Sequence, residues 1–230
     1  MRHAARLFAI VAALPLQIAC APGVGVPPPA APAGRTVDLV QALTANKLRP
    51  VNRKVASIHP TAIRLSPASG NGVAWIDGTD FSTGTIEVDA RGRSAAQLSY
   101  VGLAFHRKDD DTYEAVYLRP FNFQSSDPER KQHAVQYIQL PEHDYDNLRR
   151  DFPEEFENPI DGPIAATDWV RLRVVVGAGS AQIYVGAAGT PTLDVRRLGR
   201  LYGGQIGLWV GNGSDGDFAN LVVTPAVTIP

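Results

Sequence analysis

Residues 84–91, Gly-Thr-Ile-Glu-Val-Asp-Ala-Arg, alternate without a break, with Ile86, Val88 and Ala90 on one side and Glu87, Asp89 and Arg91 on the other. A period of two is that of an extended strand, whose successive side chains point to opposite faces. One face here is apolar and the other charged. Such a strand is stable only in a sheet whose apolar face is covered by a second layer. The same pattern recurs along the chain. Residues 58–65, 72–76, 99–107, 112–119, 134–140, 169–176, 181–185, 193–198, 205–210 and 218–223 are strand candidates. Residue 60, inside the first of these, is proline, which places that strand at a sheet edge. The polar turns at 108–111 and 177–180 join their neighbours as hairpins. Only residues 36–48, with Val37, Leu39, Val40, Leu43 and Leu48, approach helical spacing. About ten short strands and almost no helix describe an all-β, two-sheet antiparallel sandwich of the jelly-roll kind with a short N-terminal helix.

The N-terminus reads as a processing signal. Arg2, His3 and Arg6 precede an apolar run at 7–16, which is too short to span a bilayer as a helix. Cys20 is the chain's only cysteine, so a disulfide within the chain is excluded. Residues 16–20, Leu-Gln-Ile-Ala-Cys, are similar to a lipobox with Cys20 as the lipidated residue, whereas 19–21, Ala-Cys-Ala, fits ordinary signal cleavage. The expectation is a signal peptide at 1–20, a Pro/Ala-rich tether at 21–35, a short helical lead-in at 36–54 and the sandwich at 55–226. The protein is then exported, as a periplasmic or outer-membrane lipoprotein or else a secreted one, and meets a membrane through a lipid anchor only. Twenty-two basic against 23 acidic residues give a net charge of −1, without the basic footprint of a nucleic-acid binder.

Four segments carry a family resemblance: DFSTGTIEVDARG, YVGLAFHRKDDDTYEAVYLRPFNF, DWVRLRVVVGAGSAQIYVG and GGQIGLWVGNGSDGDFANLVVTP. In this order they resemble the concanavalin A-like lectin/glucanase domains. The last resembles laminin G-like modules and the domains labelled 3-keto-disaccharide hydrolase-like. The resemblance implies two curved sheets, a ligand on the concave one, and often a structural calcium. Glucanases of this fold use a Glu-x-Asp-x-x-Glu arrangement. Glu87 and Asp89 match its first two acids, but Gly92 stands where the second glutamate belongs.

Among the residues themselves, Glu87 and Asp89 share a strand face roughly 6–7 Å apart. With His133 they are the candidate acid/base groups; the alternative is a solvated, ion-paired strand face. Tyr113, Tyr117 and Arg119 share the face of another strand, with Asn122 and His133 beyond it and Tyr137 on the next. Aromatic rings can stack on a sugar, while Arg and Asn can bind hydroxyls or a carboxylate. Trp209, out of phase with Ile206, Leu208 and Val210, and Asn212 complete this candidate ligand set. Glu114 falls in phase with the apolar Val116 and Leu118, which requires a compensating partner or a bulge. Asn212, Asp215 and Asp217 lie in a Gly-rich turn whose oxygens suit calcium. The stretch 141–167 is a long acidic insertion, a candidate lid. No nucleophile-elbow, zinc-protease, P-loop or dinucleotide motif is present. These features lead to an expected carbohydrate-binding module. The alternative is a glycoside-acting hydrolase or lyase, and a third reading is a structural envelope or adhesion domain.

Overall fold

The structure, a computed structural model, describes residues 33–226. Cys20, the signal peptide and most of the tether lie outside the described residues. The chain begins with β1 (Arg35–Val37), α1 (Leu39–Thr44), β2 (Leu48–Val51), β3 (Val55–His59), β4 (Ala62–Leu65), β5 (Gly72–Ile76) and β6 (Gly84–Arg91). It continues through β7 (Val101–Arg107), β8 (Tyr113–Leu118), a 3₁₀ turn at Pro120–Asn122, α2 (Pro128–Gln132), β9 (Val135–Leu140) and α3 (Tyr145–Asp151). The remaining strands are β10 (Glu157–Asn158), β11 (Val170–Val176), β12 (Ser180–Val185), β13 (Leu193–Arg196), β14 (Gln205–Val210) and β15 (Gly216–Pro225).

Two antiparallel sheets form the sandwich. The first has the order β13-β12-β11-β6-β15-β4-β3, with β1 also on β15; the second has the order β10-β9-β8-β7-β14-β5-β2. The alternation of β6 is realised as read, with Ile86, Val88 and Ala90 buried and Glu87, Asp89 and Arg91 half-exposed. β11 follows the same rule, burying Val170, Leu172, Val174 and Val176. The second sheet differs, because β5 and β8 are buried at every position and β7, β9 and β14 at all but one. Its inner face meets the first sheet. Its outer face is occupied by its own aromatic side chains and, beside β9, by α3 with Leu148 buried.

Two local readings change. The 36–54 segment is not a separate helical lead-in. Asp38 caps a helix of six residues by accepting a hydrogen bond from the Gln41 N–H. The residues on either side pair into both sheets, β1 with β15 and β2 with β5. Residues 58–65 are not one strand either. The chain turns at Pro60-Thr61 and pairs β3 with β4, so the proline sits in a hairpin turn rather than within an edge strand.

Candidate functional site

Strand register lines up one row across the outer face of the second sheet. Glu157 opposes Gln136, Gln136 opposes Tyr117, Tyr117 opposes Gly102, and Gly102 opposes Trp209. Gly102 has no side chain, so the rings on either side of it meet above its backbone. Tyr117 and Trp209 stack with centroids 4.7 Å apart at 27°. A methyl group at Gly102 would lie 2.9 Å from the Tyr117 Cβ. Trp209 Nε1–H donates to the Tyr113 hydroxyl at 3.2 Å. Tyr113, Tyr117 and Trp209 are all buried. Trp209 therefore backs Tyr117 rather than offering an open platform. Burial pushes the Tyr113 and Tyr117 phenols up to about 12.

One end of this row opens into a cleft of about 270 Å³. Tyr117, Arg119, Asn122 and His133, four of the ligand candidates, line it together. Arg119 directly follows β8, where the chain enters the 3₁₀ turn, and its backbone N–H donates to the Ala134 carbonyl at 2.8 Å. Its guanidinium is buried and both terminal nitrogens are committed. Nη2 donates to the Tyr117 hydroxyl and to Gln136 Oε1, both at 3.0 Å. Nη1 donates to the His133 carbonyl at 3.1 Å and to Glu157 Oε2 at 3.4 Å. Asn122 Nδ2 also donates to the His133 carbonyl, at 3.0 Å. The segment that carries His133 is thus pinned by two side chains of the cleft.

Glu157, 3% exposed, is the hub beneath the cleft. Arg149 from α3 grips it with two nitrogens: Nε lies 3.0 Å from Oε1 and Nη2 lies 2.9 Å from Oε2. His133 Nδ1 lies 2.8 Å from Oε2 but off the hydrogen-bond axis, within ion-pair range only. Burial pushes the Glu157 carboxyl up. The Arg149 hydrogen bonds, with the charges of Arg149, Arg119 and His133, outweigh it and hold the carboxyl below its ordinary value. Tyr100, Phe121 and Tyr145 supply aromatic walls. Tyr100 meets Tyr117 and Phe121 edge-on, at 5.9 Å and 5.5 Å.

The other candidates lie elsewhere. Tyr137 opposes Val116 and so faces the inner side, away from Tyr117. There its hydroxyl donates to Glu114 at 2.6 Å, and Arg197 reaches both Glu114 oxygens, Nε at 3.0 Å and Nη2 at 2.6 Å. A bulge sets up the fourth member of this network. β7 places an extra residue against β14 where His106 adopts φ 54°, and the imidazole turns to within 2.9 Å of Glu114. Its other nitrogen, Nε2, lies 2.7 Å from the Ser82 carbonyl and must donate to it. Glu114 is thereby both compensated and bulge-assisted.

Glu87 and Asp89 lie on the outer face of the first sheet, not with His133 on the second. Both pair with Arg171, at 3.5 Å and 3.2 Å, and Asp89 also accepts from Asn220 at 2.6 Å. In the Gly-rich turn, Asn212 Oδ1 accepts from the Gly70 N–H at 2.7 Å. Arg93 sits 2.8 Å from Asp215, and Asp217 is held by Arg64 at 2.5 Å and Arg91 at 2.6 Å. With guanidinium groups already on both carboxylates, this turn does not fit a calcium ion. Among the described residues no group of three His, Cys, Asp or Glu side chains converges for a metal.

Arg149, Glu157, Arg130, Tyr100, Phe121 and Tyr145 are site residues that sequence reasoning missed. Tyr100 carried a usable signal: it is in phase with Gly102, which opposes Tyr117. The others carried none. Arg149 is indistinguishable in sequence from Arg150, which pairs with Asp151 instead. Glu157 is one acid among the many of the insertion, separated from the rest only by its pairing with β9.

No protein-family model matches the chain, and no curated protein does. Solved structures match over most of the chain. A carbohydrate-binding module, CBM66 from Bacillus subtilis, is 16% identical over 76% of this chain and 93% of its own, with a TM-score of 0.54. A Bacillus subtilis protein of unknown function with a galectin-like fold is 16% identical over 85% and 96%, with a TM-score of 0.56. The exoplasmic/lumenal domain of VIP36 in its Ca²⁺/Man3GlcNAc-bound form is 14% identical over 81% and 86%, with a TM-score of 0.54. At these identities the likeness is one of fold. The chain has a galectin-like, concanavalin A-like β-sandwich fold.

Proposed function

We propose that this protein is an exported, lipid-anchored carbohydrate-binding module whose glycan occupies the Arg119–Arg149 cleft. The observation that carries the reading is the cleft's construction. Its floor is hydrogen-bonded in advance through Arg119 and Glu157, and its walls are the aromatic Tyr100, Phe121 and Tyr145. Preorganised polar groups between aromatic faces bind a sugar ring with little ordering cost. CBM66 and Man3GlcNAc-bound VIP36 support the reading as structures of this fold named for carbohydrate binding or carrying a glycan. Export and anchoring rest on Arg2, Arg6, the apolar run at 7–16 and Cys20. Cys20→Ala is expected to release the protein from the membrane fraction; continued membrane attachment of that variant contradicts the anchor.

The test is a screen of the purified protein against immobilised glycans, followed by titration of the strongest binder. Tyr145 is 44% exposed, so its truncation leaves folding intact. Tyr145→Ala is expected to weaken binding about fivefold, the loss of one stacking face. Failure to bind any glycan overturns the reading.

One observation favours the glycoside-acting enzyme instead: His133, 20% exposed by its side chain, stands beside the Glu157 carboxylate in an open cleft. Glu87 and Asp89 are not part of that couple. Release of new reducing or unsaturated ends from the bound glycan would establish turnover, and an unchanged glycan would leave the module reading.

A further inference from the structure

The cleft is one-sided in charge. Arg119, Arg130, Arg149 and His133 line it, and no Asp or Glu is among its lining residues. Its one nearby carboxylate in the floor, Glu157, is buried and fully engaged. Arginine donates hydrogen bonds and accepts none. A neutral sugar presents hydroxyls that both donate and accept, and its acceptors here would be the amides of Gln97 and Asn122 and tyrosine hydroxyls, with no carboxylate among them. The ligand that matches this wall is rich in acceptors.

The arginines are also prepared for such a ligand. Glu157 binds the Nε and Nη2 of Arg149, which leaves Nη1 without a partner among the described residues. The side chain is 36% exposed, so its unused edge reaches the cleft while the opposite edge is fixed. Arg130 stands on α2, its side chain 68% exposed, and among the described residues its one ion partner is Asp127 at 3.6 Å. Arg119 contributes its charge from the floor, its terminal nitrogens being committed. Three guanidinium groups face the cleft, while the carboxylates near them, Glu157, Asp127 and Asp146, stand behind or beside it and none lines it. A carboxylate or a sulfate brought by the ligand would meet the free edge of Arg149 and the exposed Arg130 directly.

We infer that the cleft recognises an anionic saccharide, one bearing uronic-acid carboxylates or sulfate esters, held between Arg149 and Arg130 with its ring against the aromatic walls. This rests on the carbohydrate reading and narrows it to a substrate class. The experiment is a glycan screen containing neutral, uronate and sulfated members, then calorimetric titration of the strongest binder before and after carboxyl reduction or desulfation. The expected result is that binders carry an anionic group. Removing it should lower affinity about 30-fold, the scale of a charge-assisted contact. Whichever treatment abolishes binding identifies the source of the charge. Arg149→Gln is expected to give a similar loss. Arg130→Gln, at a site too exposed to disturb folding, should weaken binding several-fold and flatten its salt dependence. Tight binding of a neutral glycan, or affinity unchanged by carboxyl reduction and desulfation and by both substitutions, overturns the anionic proposal and leaves the carbohydrate reading standing. Absence of all glycan binding overturns both.

Discussion

Two glutamates of the second sheet, Glu114 on β8 and Glu157 on β10, are built into networks of the same ingredients. Each has an arginine that contacts both oxygens and a histidine within 3 Å, and a tyrosine belongs to each network. They differ in the face they occupy. Glu114 points inward, and Arg197, His106 and Tyr137 close over it. Glu157 points outward, and its arginine and histidine form part of the surface of a cleft. The same chemistry is a sealed structural plug in one place and the base of a candidate site in the other. Residue type alone therefore says little about function; access to solvent separates the two.

The comparison breaks most visibly on the sealed side. Glu114→Leu leaves the Arg197 guanidinium buried without its counter-charge, and such an uncompensated ion costs about 3–5 kcal/mol. The urea midpoint should fall accordingly, while the folded fraction keeps its glycan affinity. A small loss would mean that Arg197 escapes to solvent and that the plug is not sealed.

Glu157→Gln should cost less, about 2 kcal/mol, because Arg149 is part-exposed and can turn to water, and the buried Arg119 keeps its bonds to Tyr117, Gln136 and the His133 carbonyl. Its larger effect falls on binding. Without the carboxylate, Arg149 loses its fixed orientation, and glycan affinity should drop about tenfold, the scale of 1.4 kcal/mol. Stability lost with affinity intact would assign Glu157 to the same purely structural role as Glu114.

The two networks should act alike toward acid. Burial raises the Glu114 carboxyl, but hydrogen bonds from His106, Arg197 and Tyr137 outweigh it and hold it low, as the Arg149 bonds do for Glu157. A carboxyl depressed in the folded state adds stability above its unfolded value, near 4.3, and loses that stability as pH falls through the folded value. Unfolding free energy should therefore decline below about pH 5. Each of Glu114→Leu and Glu157→Gln should flatten that decline by up to about 1.4 kcal/mol per pH unit. Curves parallel to the wild type would contradict the pairing at whichever glutamate was changed.

The alternation of β6 and β11 made most strands legible, because a half-buried sheet writes its period into neighbouring residues. It failed where partners distant in sequence decide the structure. The spacing of Val37, Leu39, Val40 and Leu43 suits a helix, yet Val37 finds a place beside β15, and the chain beyond the helix pairs with β5. At Pro60, the constraint read as an edge strand is met by a turn. The candidate site divides in the same way. Tyr117, Arg119, Asn122 and His133 were legible because they flank one hairpin and its continuation. Arg149 and Glu157 were not, since the 141–167 insertion is folded back by the pairing of Glu157 with Gln136. Trp209 was placed correctly opposite Ile206 and Leu208, but periodicity could not reveal that Gly102 would let it stack on Tyr117.

The most direct test sets the outward glutamate's cleft against the charged face of the other sheet. Affinity for the strongest-binding glycan is measured for the wild type, Arg149→Gln and Glu87→Gln, each first shown to be folded. Loss of at least about tenfold in Arg149→Gln, with Glu87→Gln at wild-type affinity, is the predicted result. Wild-type affinity in Arg149→Gln together with loss in Glu87→Gln would place the ligand on the first sheet and contradict the account.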